Sequence, residues 1–112
     1  MASKSFTFAN PLRAGHCEIR GGYSLTINSD GTWRAIGHYH CNAGGITSCD
    51  HTLKNVLDAG GAAVASFTVL DKDTAGPGST RDIDKSGSDN SIKDNYNAIN
   101  LAHRDLDCDE HT

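Results

Sequence analysis

The sequence has no apolar run of about 20 residues, the length that a helix needs to cross a bilayer, so we expect no membrane partner. It contains no nucleophile elbow, phosphate-binding loop or dinucleotide fingerprint. Aromatic residues make up only 6% of the chain. The N-terminal residues lack the apolar core of a secretion signal. That absence predicts either synthesis in the cytosol or a mature form that follows an added start.

A basic patch is also missing. Residues 1–41 hold four basic and two acidic residues, and residues 42–112 hold six and twelve, which gives the net charge of −4. Proteins that bind nucleic acid usually carry a basic patch, so we exclude nucleic acid as a partner. The acidic segment 105–110 is expected to keep the protein soluble or to bind a cation.

What the chain does contain is typical of a turn-rich β protein. It has 12 glycines in 112 residues, together with many Asp, Asn, Ser and Thr residues. This length suffices for one domain, residues 1–112, with one core. We therefore predict a mainly all-β fold, a small antiparallel meander that closes as a barrel or folds as a sandwich, with long polar loops.

Residues 23–41 give the clearest structural signal, since two alternating runs flank an Asp-Gly turn. A two-residue loop would pair Ile27 with Arg34, and a three-residue loop would pair Ile27 with Trp33. We favour the three-residue loop, because it places Gly31 in the left-handed conformation that glycine adopts without steric cost. A shift of one residue would exchange the two faces of the hairpin.

This register divides the hairpin into two faces. The residues predicted to be buried are Tyr23, Leu25, Ile27, Trp33, Ala35, Gly37, Tyr39 and Cys41. The residues predicted on the other face are Ser24, Thr26, Asn28, Thr32, Arg34, Ile36, His38 and His40.

Other segments are assigned from alternation and turn residues. Strands are predicted at 5–10, from 16 onward and near 97–106, with a second hairpin at 52–70. A helix over 52–66 is the competing interpretation, although two glycines in its middle would cost it about 2 kcal/mol. Residues 71–91 have almost no apolar side chains and are predicted to form a long surface loop.

Four cysteines suggest two disulfides. Three connectivities are possible, and we favour Cys41–Cys49, which closes a short loop, with Cys17–Cys108. The alternative is a reduced cytosolic protein with buried thiols. Disulfides would place the protein outside the cell, and the cytoplasm is the alternative compartment.

Several stretches resemble a group of small secreted actinobacterial proteins of unknown function. The matching stretches are residues 15–21 (GHCEIRG), 29–32 (SDGT), 56–62 (VLDAGGA) and Cys108. The resemblance implies a compact β domain whose first and last cysteines, here Cys17 and Cys108, could pair. It implies no reaction. This chain departs from the group in carrying Cys41 and Cys49.

Two patterns could bind a metal, although we expect no resident cofactor. His38 and His40 point the same way from a strand and could share one zinc ion, with Glu18, His51 or His16 as third ligand. Asp82-x-Asp84-x-Ser86-Gly87 resembles the start of a calcium loop, but Lys93 stands where the last acidic ligand is required. The alternatives are exposed histidines and a solvated acidic loop.

The function predicted from these patterns is a non-enzymatic binding module for a glycan or another small polar ligand. Its predicted binding residues are Arg20, Arg34, His38, His40, Trp33 and Tyr39, and the alternative for both aromatic residues is core packing. A second hypothesis is a small hydrolase or nuclease-like toxin that uses His38, His40, Glu18 and Arg34. A third is an inhibitor that binds a protein partner through the 71–91 loop.

Overall fold

The computed structural model describes residues 1–112 as nine strands in two antiparallel sheets, with one short helix. The strands are β1 (Ser3–Phe8), β2 (Leu12–Ala14), β3 (Cys17–Ile19), β4 (Tyr23–Asn28), β5 (Thr32–Cys41), β6 (Ser48–Ala59), β7 (Ala62–Ala75), β8 (Thr80–Ser88) and β9 (Ile99–His111). Helix α1 (Asn90–Asn95) and a single 3-10 turn (Tyr96–Ala98) precede β9. The all-β prediction is therefore confirmed.

The β4–β5 hairpin has the predicted three-residue register. Ile27 lies opposite Trp33, and Gly31 adopts a φ of 93°. The predicted face is buried in β4 and along β5, where exposed and buried residues alternate. At Gly37 a Cβ atom would lie 3.0 Å from the ring of Tyr23. Glycine is needed there because the tyrosine ring covers the strand backbone.

Sheet A is built around β5, which has partners on both edges. One edge pairs with β4 and, further along, with β3, while the other edge pairs with β8 over nine residues. Residues 20–22 interrupt the path from β3 to β4, and β1 and β2 extend the sheet beyond these two strands. Sheet A thus has six strands.

Sheet B consists of β7, β6 and β9, in that order. The β6–β7 pair is the second predicted hairpin, and its turn contains Gly60 and Gly61, both with positive φ. The competing helix over 52–66 is therefore wrong. The predicted last strand is confirmed in β9, which begins at Ile99 and runs to His111.

The predicted long loop at 71–91 is wrong. Residues 71–75 continue β7, residues 80–88 form β8, and 90–95 form α1, so only four residues connect β7 to β8. Strand β8 forms because its backbone pairs with the open edge of β5, which does not require apolar side chains. Only Ile83 of this strand is buried. An inhibitor that acts through a 71–91 loop loses its structural basis.

A single apolar cluster of 22 residues lies between the two sheets, as in a β-sandwich. The sheets stay separate, so a closed barrel does not form. Both favoured disulfides are present, with Cα–Cα distances of 5.6 Å for Cys17–Cys108 and 5.7 Å for Cys41–Cys49. Each joins a strand of sheet A to a strand of sheet B. Neither the short helix nor the 3-10 turn is long and apolar enough to span a membrane.

Candidate functional site

The outward side of sheet A carries most of the polar residues that the sequence singles out. We call this surface the outer face of sheet A. Its members are Arg13, Glu18, Arg20, Arg34, Ile36, His38, His40, Thr80, Asp82 and Asp84. Alternation places the β5 residues there, because Trp33, Ala35 and Tyr39 point into the core. The register with β5 places Thr80 and Asp82 on the same face, opposite His40 and His38.

Strand β8 supplies an oxygen partner for each basic side chain of β5 on this face. His38 Nε2 lies 3.1 Å from Asp82 Oδ1, and His40 Nδ1 lies 2.7 Å from the Thr80 hydroxyl. These contacts follow from the register, in which His38 is opposite Asp82 and His40 is opposite Thr80. The side chains are therefore held in place by the neighbouring strand.

Arg34 forms a two-pronged ion pair with Asp84, which lies on the diagonal, two positions along β8 from its direct partner Ser86. Its Nε and Nη2 atoms donate to the two carboxylate oxygens at 3.0 and 2.9 Å. The hydrogen bonds and the charge of Asp84 raise the pKa of Arg34, and Arg34 lowers the pKa of Asp84. Both side chains are mostly exposed, so the pair fixes the orientation of the guanidinium and adds little stability.

Glu18 is the best-buried charge of the outer face, with 2% of its side chain exposed. It accepts hydrogen bonds from Arg13 Nε and Arg20 Nη1, both at 2.9 Å, and from Asn42 Nδ2 at 3.4 Å. Burial raises the pKa of Glu18, but the bonds from Arg13 and Asn42 and the charges of both arginines outweigh it and lower the pKa. Glu18 thus stays ionised and orients two guanidinium groups.

Both of these guanidinium groups remain open to solvent. Arg13 and Arg20 have side chains that are 65% and 43% exposed. In the ladder, Arg13 is opposite Glu18, and Glu18 is opposite His40. The row from β2 to β8 therefore offers hydrogen-bonding groups across four adjacent strands.

The structure corrects the expectation that Trp33 and Tyr39 contribute to ligand binding. They are 7% and 6% exposed and point into the core. Trp33 stacks on Phe67 with ring centroids 4.5 Å apart, and Gly87 leaves the space for it, since a Cβ there would lie 2.8 Å from the indole. They are core residues because the hairpin register turns them inward.

The predicted metal ligands His38, His40, Asp82 and Asp84 do not gather around one point. Only His38 and Asp82 contact each other, while His40 meets Thr80 and Asp84 meets Arg34. The calcium-loop expectation is also wrong in its geometry, because residues 82–87 are an extended strand. A calcium loop wraps its oxygens around the ion, and a strand spreads them along a line.

The four residues of the alternative catalytic set, His38, His40, Glu18 and Arg34, do share the outer face of sheet A. However, the Glu18 carboxylate already accepts three hydrogen bonds and Arg34 is held by Asp84. No ligand-sized pocket is found on the protein. The arrangement therefore presents an open, polar, hydrogen-bonding surface.

Sequence reasoning missed the part played by β8 and by Arg13 and Asn42. The sequence gives little signal for β8, since Ile83 is the single apolar residue among residues 80–86. No sequence signal connects Arg13 or Asn42 with Glu18, because these contacts depend on the pairing of β2, β3 and β5. Comparison of the chain with protein-family models, curated proteins and solved structures gives no match.

Proposed function

We propose that this protein is a binding module that recognises a glycan chain through the outer face of sheet A. The observation that carries the proposal is a row of solvent-exposed guanidinium and imidazole groups, each held by a partner, on a surface without a ligand-sized pocket. Small molecules are usually enclosed in a pocket. An open surface favours an extended ligand that is contacted from one side.

The donor groups suit the hydroxyl and carboxylate groups of sugars. A guanidinium presents several N–H donors in a plane and binds carboxylates through two parallel bonds. An imidazole can donate to a hydroxyl through one nitrogen and accept from one through the other. We infer that Arg20, Arg34, His38 and His40 make these contacts, and we add Arg13, whose head group is exposed beside Arg20.

Preorganisation supports the same inference. Long side chains lose conformational freedom when they bind, and this cost reduces affinity. Here Glu18 restrains two arginines, and Asp84 and Asp82 restrain Arg34 and His38 before any ligand arrives. We further propose that the module works outside the cell, where disulfides such as its two persist.

The test compares two exposed histidines on opposite sheets. His38 contacts Asp82 on sheet A, and His103 contacts Asp58 on sheet B with Nε2 and Oδ2 2.6 Å apart. The wild-type chain is screened on an array of neutral and acidic glycans, and the best hit is titrated by calorimetry. We expect His38→Ala to weaken binding at least tenfold and His103→Ala to leave it unchanged.

Other outcomes would overturn the proposal. Absence of binding to every glycan on the array, or an equal loss in His38→Ala and His103→Ala, would refute recognition by the outer face of sheet A. Release of shorter saccharides from the bound glycan would refute a purely binding role and support the hydrolase alternative.

A further inference from the structure

A second group of metal-ligating side chains lies on sheet B, away from the outer face of sheet A. Ligand atoms of Asp50, Asp109 and His111 all lie within 4.8 Å of one another. The Nε2 atom of His111 is 2.8 Å from Asp50 Oδ2. Asp50 and His111 belong to none of the sets that the sequence analysis predicts as metal ligands, and Asp109 lies in the acidic segment 105–110, which is expected to keep the protein soluble or to bind a cation.

Strand pairing explains why the three side chains meet. Asp50 of β6 is directly opposite Asp109 of β9, and His111 follows two positions later on the same face. Cys49, His51 and Cys108, the neighbours in sequence on the two strands, point the other way, toward the disulfides and the core. The group therefore lies on the outward side of sheet B.

The central carboxylate is held in place by a third strand. Thr74 of β7 donates its hydroxyl hydrogen bond to Asp50 Oδ1 at 2.6 Å, which leaves Oδ2 directed toward His111. Side chains that orient a ligating carboxylate in this way are typical of metal sites. The Asp50 side chain is 18% exposed and that of His111 is 50% exposed, so an ion and its water molecules can reach both.

We propose that Asp50, Asp109 and His111 form a binding site for a divalent transition-metal ion, with zinc as the probe. Two carboxylates balance the charge of the ion, and an imidazole ligand favours zinc and related metals over calcium and magnesium, which prefer oxygen alone. Three protein ligands leave at least one coordination position for water.

The same two strands provide a matched control at their other end. His103 of β9 contacts Asp58 of β6 at 2.6 Å, as His111 contacts Asp50. At that end, however, no third ligand atom lies within 4.8 Å of the pair. The reason is that His103 is opposite Val56 and Asp58 is opposite Leu101. The two pairs therefore differ in the second carboxylate, and only the Asp50 pair has three ligands.

The test is calorimetric titration of zinc into the full oxidised chain and three variants. We expect one saturable site in the wild type and in His103→Gln, and an affinity at least tenfold lower in His111→Gln and in Asp109→Asn. Asp109 is preferred to Asp50 for substitution because Asp50 also holds Thr74. Zinc should raise the urea midpoint of the wild type and of His103→Gln, because an ion that binds only the folded state stabilises it.

Three results would overturn the proposal. The wild type could show no saturable zinc binding. His103→Gln could lose as much affinity as His111→Gln, which would assign the zinc to histidine–carboxylate pairs in general. Asp109→Asn could bind zinc as well as the wild type does, which would remove the third ligand. Loss of glycan binding by the outer face of sheet A would affect none of these readouts.

Discussion

The two disulfides lie at the same end of the sandwich but close loops of very different length. Cys17–Cys108 spans 91 positions and Cys41–Cys49 spans 8. Cys17 and Cys41 are opposite each other in the β3–β5 ladder, and each bridge connects sheet A to sheet B. This pair permits a test of how a disulfide stabilises a protein, because both bridges make the same type of connection at the same end of the sandwich.

If the bridges act by restricting the unfolded chain, the longer loop should contribute more. The chain-entropy relation gives about 4.6 kcal/mol for Cys17–Cys108 and about 2.6 kcal/mol for Cys41–Cys49 at 25 °C. The expected difference is therefore about 2 kcal/mol. Packing of the sulfur atoms would favour the opposite order, with the larger contribution from Cys41–Cys49. Cys41 and Cys49 are both fully buried, whereas Cys108 is only partly buried.

The perturbation is the pair of double variants Cys17→Ala/Cys108→Ala and Cys41→Ala/Cys49→Ala. Each is unfolded in urea without reductant at pH 7, and the free energy of unfolding is obtained by linear extrapolation. We expect both variants to be less stable than the wild type, and the 17–108 variant to be the less stable of the two by about 2 kcal/mol.

Equal losses, or a larger loss in the 41–49 variant, would refute the reasoning. Either result would mean that packing of the sulfurs between the sheets, rather than loop length, sets the contribution of each bridge. A 17–108 variant that is fully unfolded without urea would agree with the expected order. In that case only the 41–49 variant would give a measurable loss in the free energy of unfolding, and that loss would be the smaller of the two.

Two further predictions concern buried polar groups. Glu18→Gln should lower the free energy of unfolding by about 2 kcal/mol at pH 7, because it replaces hydrogen bonds to a charged carboxylate. The pKa of Glu18 is lowered on folding. The contribution of its ionised carboxylate to the free energy of unfolding is therefore complete above the unfolded pKa of about 4.3, and it is lost as the pH falls through the folded pKa. Unfolding measured from pH 7 to pH 3 should therefore show a flatter acid limb in the variant, and an unchanged limb would contradict this. Separately, Asn55 donates to the Tyr23 hydroxyl at 2.6 Å while its own Oδ1 is buried without a partner. Tyr23→Phe should cost about 2 kcal/mol because it leaves the amide donor unpaired as well, and Tyr23→Phe/Asn55→Leu should be more stable in urea than Tyr23→Phe alone. A double variant that is less stable than Tyr23→Phe would show that the amide has a partner other than the hydroxyl.

The sequence alone determined those features that depend on neighbours along the chain. The β4–β5 register follows from alternation and from Gly31, and the β6–β7 hairpin follows from alternation around Gly60-Gly61. The pairing of Cys41 with Cys49 follows the same logic, since a short loop brings the two thiols together. The outward position of His38 and His40 is a direct consequence of the hairpin register.

Only the tertiary structure decided which residues meet across strands that are distant in sequence. Strand β8 has one buried apolar side chain and looks like a loop until the open edge of β5 provides its backbone partners. The partners of Glu18, and the meeting of Asp50 with Asp109 and His111, depend on how β2, β3 and β9 pair. The physical reason is that backbone hydrogen bonds hold such strands together and are the same for every side chain. The residue pattern of an edge strand therefore carries little information about its neighbour.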